Sequence, residues 1–166
     1  TFVNDAKREV EDGYNWNCLR GTIQILTVPG TFRYKLTGLN SRMRIRSVKN
    51  VTNRWDLTEA QQDQMTNWFL YQTPAQGAPY YYTKNGQDDD TQEPMVDLHP
   101  IPDGIVQVNV NVVSPQGDLV AYSDNIKIPA HLVVLGALAK AQAEMGVDPT
   151  RAEAAYTSAV QSAISR

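Results

Sequence analysis

The sequence predicts an α+β fold, on three observations. The chain opens with apolar residues at helical spacing. Its middle is a run of alternating segments broken by turn residues. Its end holds two Ala- and Leu-rich stretches joined by a short linker. The expected organisation is a helical bundle made from both chain ends, residues 1–20 with 124–166. Between them, residues 21–123 are expected to form an antiparallel β-sandwich or small barrel with a short inserted helix near 58–69.

The first helix is read from Phe2, Val3, Ala6, Val10 and Tyr14, with Asp5, Lys7, Arg8, Glu9, Glu11 and Asp12 between them. Trp16 and Leu19 follow and are expected to tuck it onto the sheet.

The pattern then changes to period two. Thr22 to Val28 alternates, Pro29-Gly30 signals a turn, and Thr31 to Leu36 alternates again, so the two segments predict a β-hairpin. A third strand covers Met43 to Val51 and carries basic residues on one face. Thr58 with Gln61 three residues on matches a capping box, so a helix is expected from there to Trp68-Phe69. Further strands are read at Pro79 to Thr83, Met95 to His99, Ile105 to Val113 and Leu119 to Tyr122. In the Ile105 segment Val106, Val108, Val110 and Val112 oppose Gln107, Asn109 and Asn111. Lys84-Asn85-Gly86 reads as a turn, and Gln87 to Gln92 as an exposed polar tip. Neighbouring strands joined by turns predict a mostly antiparallel sheet.

The last two helices run from about Ala130 to Met145 and from Asp148-Pro149 to the terminus. Gly146 suits the left-handed residue that closes a helix, Asp148 suits an N-cap, and Pro149 suits the first turn. So short a linker forces an antiparallel hairpin. Ala152, Ala155, Tyr156, Ala159, Val160, Ala163 and Ile164 form one face of the second helix. Small residues there permit close helix approach, and the hairpin needs a surface to lie against.

At 166 residues the chain can bury a core without metals or disulfides. Net charge is −3, whereas a nucleic-acid-binding domain is expected to be basic. A single cysteine, Cys18, excludes an internal disulfide and fits a reducing compartment. No apolar run approaches the ~20 residues a membrane-spanning helix needs, and no signal-peptide pattern is visible. The chain opens at Thr1, without methionine and inside a helical pattern, which leaves room for a segment upstream.

Signals for chemistry are sparse. There is no phosphate-binding glycine loop, nucleophile elbow, paired-cysteine motif or His-Glu-x-x-His. Asp97 and His99 share a strand face and would need a third ligand to hold a metal; a surface pair ahead of a proline turn is the plainer reading. Asp88-Asp89-Asp90 lacks the alternation and glycine of an EF-hand loop and reads as a solubilising tip. Cys18 reads as a buried or half-buried thiol. Tyr80-Tyr81-Tyr82 with the three tryptophans, Trp68 among them, suggests a carbohydrate platform or a stacking surface for bases, but alternation splits the tyrosines across two faces, so packing is favoured. Arg42, Arg44 and Arg46 share a strand face and suggest a charge seam between subunits or a solvated face more than a DNA contact. No catalytic residue, cofactor or metal is expected. The absence of a visible active site beside a strongly patterned bundle favours assembly over catalysis.

Three segments carry a resemblance. The first is Phe2 to Glu11 leading through Trp16-Asn17-Cys18-Leu19-Arg20 to Thr22-Ile23-Gln24-Ile25. The second is Gly30-Thr31-Phe32-Arg33-Tyr34-Lys35-Leu36, a Gly-x-x-x-Tyr-x-Leu arm. The third is Leu98-His99-Pro100-Ile101-Pro102-Asp103-Gly104, followed by Ile128-Pro129 and the helical hairpin with Tyr156. Together they resemble the head-to-tail adaptor (connector) proteins of tailed bacteriophages, the group that includes tail tubular protein A of short-tailed phages. The resemblance covers nearly the whole chain. It implies a structural virion protein at the head-tail junction, assembled in the bacterial host cytoplasm, and no enzyme. It implies a ring of twelve copies beneath the portal protein, extending the DNA channel and receiving the tail nozzle or tail-tube protein. Contact with duplex DNA would be transient and non-specific, and no membrane is involved. Interface candidates are Arg42, Arg44, Arg46 and Lys49, expected to meet Asp88, Asp89 and Asp90 of a neighbour, together with Tyr156. The competing readings are a β-sandwich carbohydrate- or protein-binding module, and a small hydrolase built on His99 and Asp97.

Overall fold

The structure is a computed structural model and describes residues 1–71, 73–121 and 123–165. The elements are α1 (Phe2–Gly13), a 3-10 turn (Asn17–Leu19), β1 (Arg20–Leu26), β2 (Arg33–Lys35), β3 (Arg44–Asn50), β4 (Trp55–Glu59), α2 (Gln62–Leu70), β5 (Tyr81–Gln87), β6 (Pro94–His99), β7 (Gln107–Val113), α3 (Ala130–Glu144) and α4 (Thr150–Ile164). The fold is α+β, as the residue patterns predict. The chain divides into two compact units, Gly21–Ser114 and Thr1–Arg20 with Pro115–Arg166.

In the first of these, seven strands in the order β1-β7-β3-β4-β5-β6-β2 make a nearly closed barrel. Its core is Ile25, Leu36, Val48, Leu57, Tyr82, Val96, Leu98 and Val106, with Val108, Val110 and Val112 of β7. The alternation read along β7 is therefore the alternation observed. Its outward Asn111 donates to Ser47 of β3 and accepts from Thr22, so a polar ladder runs outside an apolar wall.

Three expectations fail here, each where local pattern leaves partners undetermined. Pro29-Gly30 does turn the chain, with Gly30 at φ +79, but no hairpin follows. β1 belongs beside β7, and β2 pairs with β6. The two strands stand at opposite ends of the order and approach where the Val28 amide donates to the Tyr34 hydroxyl, at 3.0 Å. The expected helix start at Thr58 is instead part of β4. Leu57 is buried in the core and Val48 pairs with it, while α2 begins at Gln62 without a side-chain cap. β4 then pairs in parallel with β5, the crossover running through α2. The strand read at Leu119–Tyr122 is absent at 119–121, and Tyr122 lies outside the described residues. Seven strands were expected and seven are present among the described residues, with Trp55–Glu59 in place of the last. β5 also runs on to Gln87, past the expected Lys84-Asn85-Gly86 turn; Gly86 sits at a register shift with φ +64.

In the helical unit, α1 buries Ala6 and Val10, while Phe2, Val3 and Tyr14 of its expected apolar set stay exposed. Trp16 folds back on its own helix, its indole donating to Val10 O at 2.7 Å. α3 closes as a Schellman motif: Gly146 is at φ +69, its amide bonds Ala143 O, and the Val147 amide bonds Gln142 O. α4 starts at Thr150, one residue later than expected, and Asp148 accepts from the Thr150 amide. The buried or half-buried face of α4 is Ala152, Tyr156, Ala159, Val160, Ala163 and Ile164; Ala155, expected with them, is exposed. Arg166, included in the expected helix, lies outside the described residues. Among the described residues no helix is long and apolar enough to cross a membrane.

Candidate functional site

Two neighbouring faces of α1 do different work. Ala6 and Val10 face inward. Asn4, Lys7, Arg8 and Glu11, at i, i+3, i+4 and i+7, hold an irregular strap, residues 116–119. Asn4 both donates to Leu119 O (3.1 Å) and accepts from Leu119 N (2.9 Å). Lys7 donates to Gln116 O (2.9 Å), and Glu11 accepts from Gln116 N (3.1 Å). Arg8 forms a two-point ion pair with Asp118. Lys7 and Glu11 are fully buried, although acid and base at helical spacing read as a solvated face. The missed signal is chain pairing: an extended polar segment far along the sequence covers them.

α3 packs against α1 and α4 through Gly136. A Cβ added there would meet Ala6 Cβ and Tyr156 Cε2, each at 3.2 Å. Lys140 crosses to Glu9 at 2.9 Å. That side of α3 buries Leu132, Val133 and Ala139. The other side is also apolar and is uncovered: Val134 is 63% exposed, Leu138 47% and Met145 71%. A helix apolar all round is a buried helix, so α3 carries one face more than its own unit covers. This face is the candidate site. It offers burial rather than chemistry, and its sequence signal is plain: between Leu132 and Ala141 the only polar residue is Lys140.

The sequence-derived interface candidates are dispersed. Arg42 lies in the turn ahead of β3, not on the strand. Arg44 is half-buried. Arg46 is the extra residue of a bulge, since Ile45 pairs with Val112 and Ser47 with Asn111. That bulge resets the alternation so that Val48 returns to the core and Lys49 faces out, where it pairs with Asp56 at 2.9 Å. Asp88 pairs with Lys35 of its own chain at 2.8 Å and accepts from Thr91; these contacts pull its carboxyl down to about 2. Asp89 and Asp90 are exposed. Tyr156 packs on Gly136 and lines, with Glu9, Lys140 and Glu153, a groove of about 340 Å³.

Asp97 and His99 are not a surface pair, because both are buried. Arg33 donates to both Asp97 oxygens (2.8 and 2.9 Å), and Asn85 donates to one of them. His99 stacks on Trp68 at 4.4 Å and meets Phe69 edge-on at 5.6 Å, so α2 covers it, and burial lowers its pKa. Among the described residues no three His, Cys, Asp or Glu side chains converge as a metal site. Cys18 is exposed, contrary to the buried or half-buried thiol expected. Of the three tyrosines, Tyr82 is in the core with its hydroxyl on Glu59, where burial and Glu59 push its pKa up to about 12. Tyr80 stacks on Trp55 (4.5 Å, 7°) and Tyr81 leans on Trp68 (5.0 Å), so these rings pack on protein instead of forming one open platform.

No curated protein matches the chain. The family model for the SU10 adaptor protein matches all of it, residues 1–166. A structural role follows from that match, and the uncovered face of α3 suits a part whose work is contact with other proteins. The chain thus belongs to the SU10 adaptor protein family of phage adaptors.

Proposed function

We propose that this protein forms a ring of twelve copies beneath the portal at the head-tail junction of the virion. There it extends the DNA channel and offers its far side to the tail nozzle or tail-tube protein. Its likeness to the tail tubular protein A group, carried by the Gly30–Leu36 arm and the C-terminal hairpin, supports the same placement. The observation that carries the reading is the second apolar face of α3, exposed at Val134, Leu138 and Met145 in a chain of an adaptor family. A ring closes through heterologous contacts, so each copy needs two unlike surfaces. Exposed Arg46 and exposed Asp89 and Asp90 supply one pair of opposite charge for exchange between neighbours. The half-buried Arg44 and Arg42 flank it, Lys49 and Asp88 would contribute beside their own-chain partners, and Tyr156 would brace the hairpin within the helical unit. A net charge of −3 suits a channel wall, because the duplex then passes without tight phosphate neutralisation.

The test is to image the full chain with the portal ring of the phage that encodes it. A twelve-fold ring seated on the portal is expected. A chain that stays monomeric beside the portal, or one that binds duplex DNA tightly with a steep salt dependence, sinks the proposal.

A further inference from the structure

We infer that the free edge of β1 is a docking site for an extended segment of a partner protein, which adds to the sheet as a further strand. The inference goes beyond the ring reading and does not rest on it.

The main chain of β1 is divided between two edges. Thr27, just past the strand, donates its amide to Val106 O at 2.9 Å, and the Thr22 hydroxyl donates to Asn111 at 2.7 Å, so β1 runs antiparallel to β7. In such a pair alternate residues bond the neighbour. Thr27 sets the phase, which gives Ile25, Ile23 and Gly21 to β7. The N–H and C=O groups of Thr22, Gln24 and Leu26 point the other way. β1 ends the strand order, and among the described residues nothing bonds these groups. Val28, next in the same phase, donates its amide to the Tyr34 hydroxyl at 3.0 Å. The edge is therefore occupied beyond the strand and open along it.

Proteins guard exposed edges with charge, proline, a bulge or shortness. β2, at the far end of the order, is guarded: it has 3 residues, and two of them are Arg33 and Lys35. β1 has 7 residues, and no charge or proline occurs from Gly21 to Val28. An unguarded edge of this kind is the surface that strand addition uses, because main-chain bonds supply the affinity and alternate side chains the specificity.

The flanking side chains state what the added strand is. Toward the interior, Ile25 is in the core and Ile23 packs against it, so the inward residues of the newcomer are apolar. On the outside the polar ladder Ser47–Asn111–Thr22 stops at the edge, and Gln24 is exposed on the same face. Uncharged amide and hydroxyl side chains continue such a ladder. The partner segment is thus extended and uncharged, with valine-like inward residues alternating with amide or hydroxyl outward ones.

The experiment is residue-resolved hydrogen exchange on the full chain, with and without excess synthetic peptide of the β7 sequence, Gln107–Val113. That sequence has the required alternation and already pairs with β1 on its other edge. In the free chain the Thr22, Gln24 and Leu26 amides are expected to exchange fast, and the Ile23 and Ile25 amides slowly. The peptide is expected to slow the first set about tenfold and to leave the second as it is. Gln24→Pro removes an edge amide and no bond to β7, so the chain is expected to fold and to lose the peptide's protection of Thr22 and Leu26. Leu26→Lys puts a charge on the same edge and is expected to lose that protection too, which keeps the test open if the proline chain does not fold. Edge amides that are already slow in the free chain, that slow through self-association without peptide, or that the peptide leaves unchanged overturn the inference. So does protection that survives both variants. None of these outcomes bears on ring formation.

Discussion

Lys7 and Glu11 stand one turn apart on α1 with no exposed side-chain surface, joined at 3.3 Å, and both hold the backbone of Gln116. Two residues that look like solvent-facing charges are thus the clasp that lays the strap at 116–119 on the first helix. Gln116 carries the tie onward, its side chain donating to Asn125 O and accepting from Lys127 N. The connection into α3 is therefore ordered from α1.

Removing one member of this pair takes from a buried charge its partner of opposite sign, which costs about 3–5 kcal/mol. Lys7→Met and Glu11→Leu are each expected to destabilise the protein by that amount in urea unfolding. The double variant should recover part of the loss, since two apolar side chains strand no charge. Equal and additive losses would mean that the two residues act independently.

Gly136 is where α1, α3 and α4 meet. Alanine there gains roughly 1 kcal/mol of helix propensity, but its Cβ falls 3.2 Å from both Ala6 and Tyr156. Leucine cannot be fitted by small shifts, and overpacking costs about 1–3 kcal/mol. Gly136→Leu is expected to lower the melting temperature, and Tyr156→Ala in the same chain to restore part of it. An unchanged melting temperature for Gly136→Leu would show that the helices do not approach this closely.

His99 should make the protein acid-sensitive. Burial holds its imidazole pKa below the usual ~6.5. Between the folded and unfolded values the unfolded chain binds the extra proton. Stability is therefore full above about pH 6.5 and declines as pH falls through the window beneath it, by at most about 1.4 kcal/mol per pH unit. Denaturant midpoints measured down through that window are expected to fall, and His99→Phe, which keeps the ring stack under α2, to flatten the dependence.

Leu138→Glu separates folding from assembly. The side chain lies on the uncovered face of α3, so its replacement should change stability by no more than about 0.5 kcal/mol. Ring formation on the portal should be lost, because a charge would enter an apolar contact unpaired. Normal rings from a normally folded Leu138→Glu protein would exclude this face from the interface.

The order of elements was legible because each rests on local spacing. Val106 to Val112 alternate whatever they pair with, and Gly146 ends a helix whatever the helix touches. The candidate face was partly legible, since the stretch around Val134 and Leu138 has almost no polar residue. Which of its sides stays open was not, because that depends on where α1 lies. The Trp55–Glu59 strand was hidden by a real capping pattern at Thr58 and Gln61. Pairing with β3 and burial of Leu57 outweighed a cap that the fold does not use.

By itself, then, the chain's residue order determined the α+β class, most strand and helix positions, the tight helical hairpin and the lack of recognisable catalytic motifs. These follow from periods of two and 3.6 and from a few turn and cap residues, all short-range. Tertiary structure alone decided that β1 and β2 part company, that Lys7 and Glu11 are buried, that Asp97 and His99 are used up by Arg33 and α2, and that α3 shows an apolar face. Each of these is a choice of partner across tens of residues, set by which surfaces remain to be covered once the local elements exist, and local spacing carries no information about that.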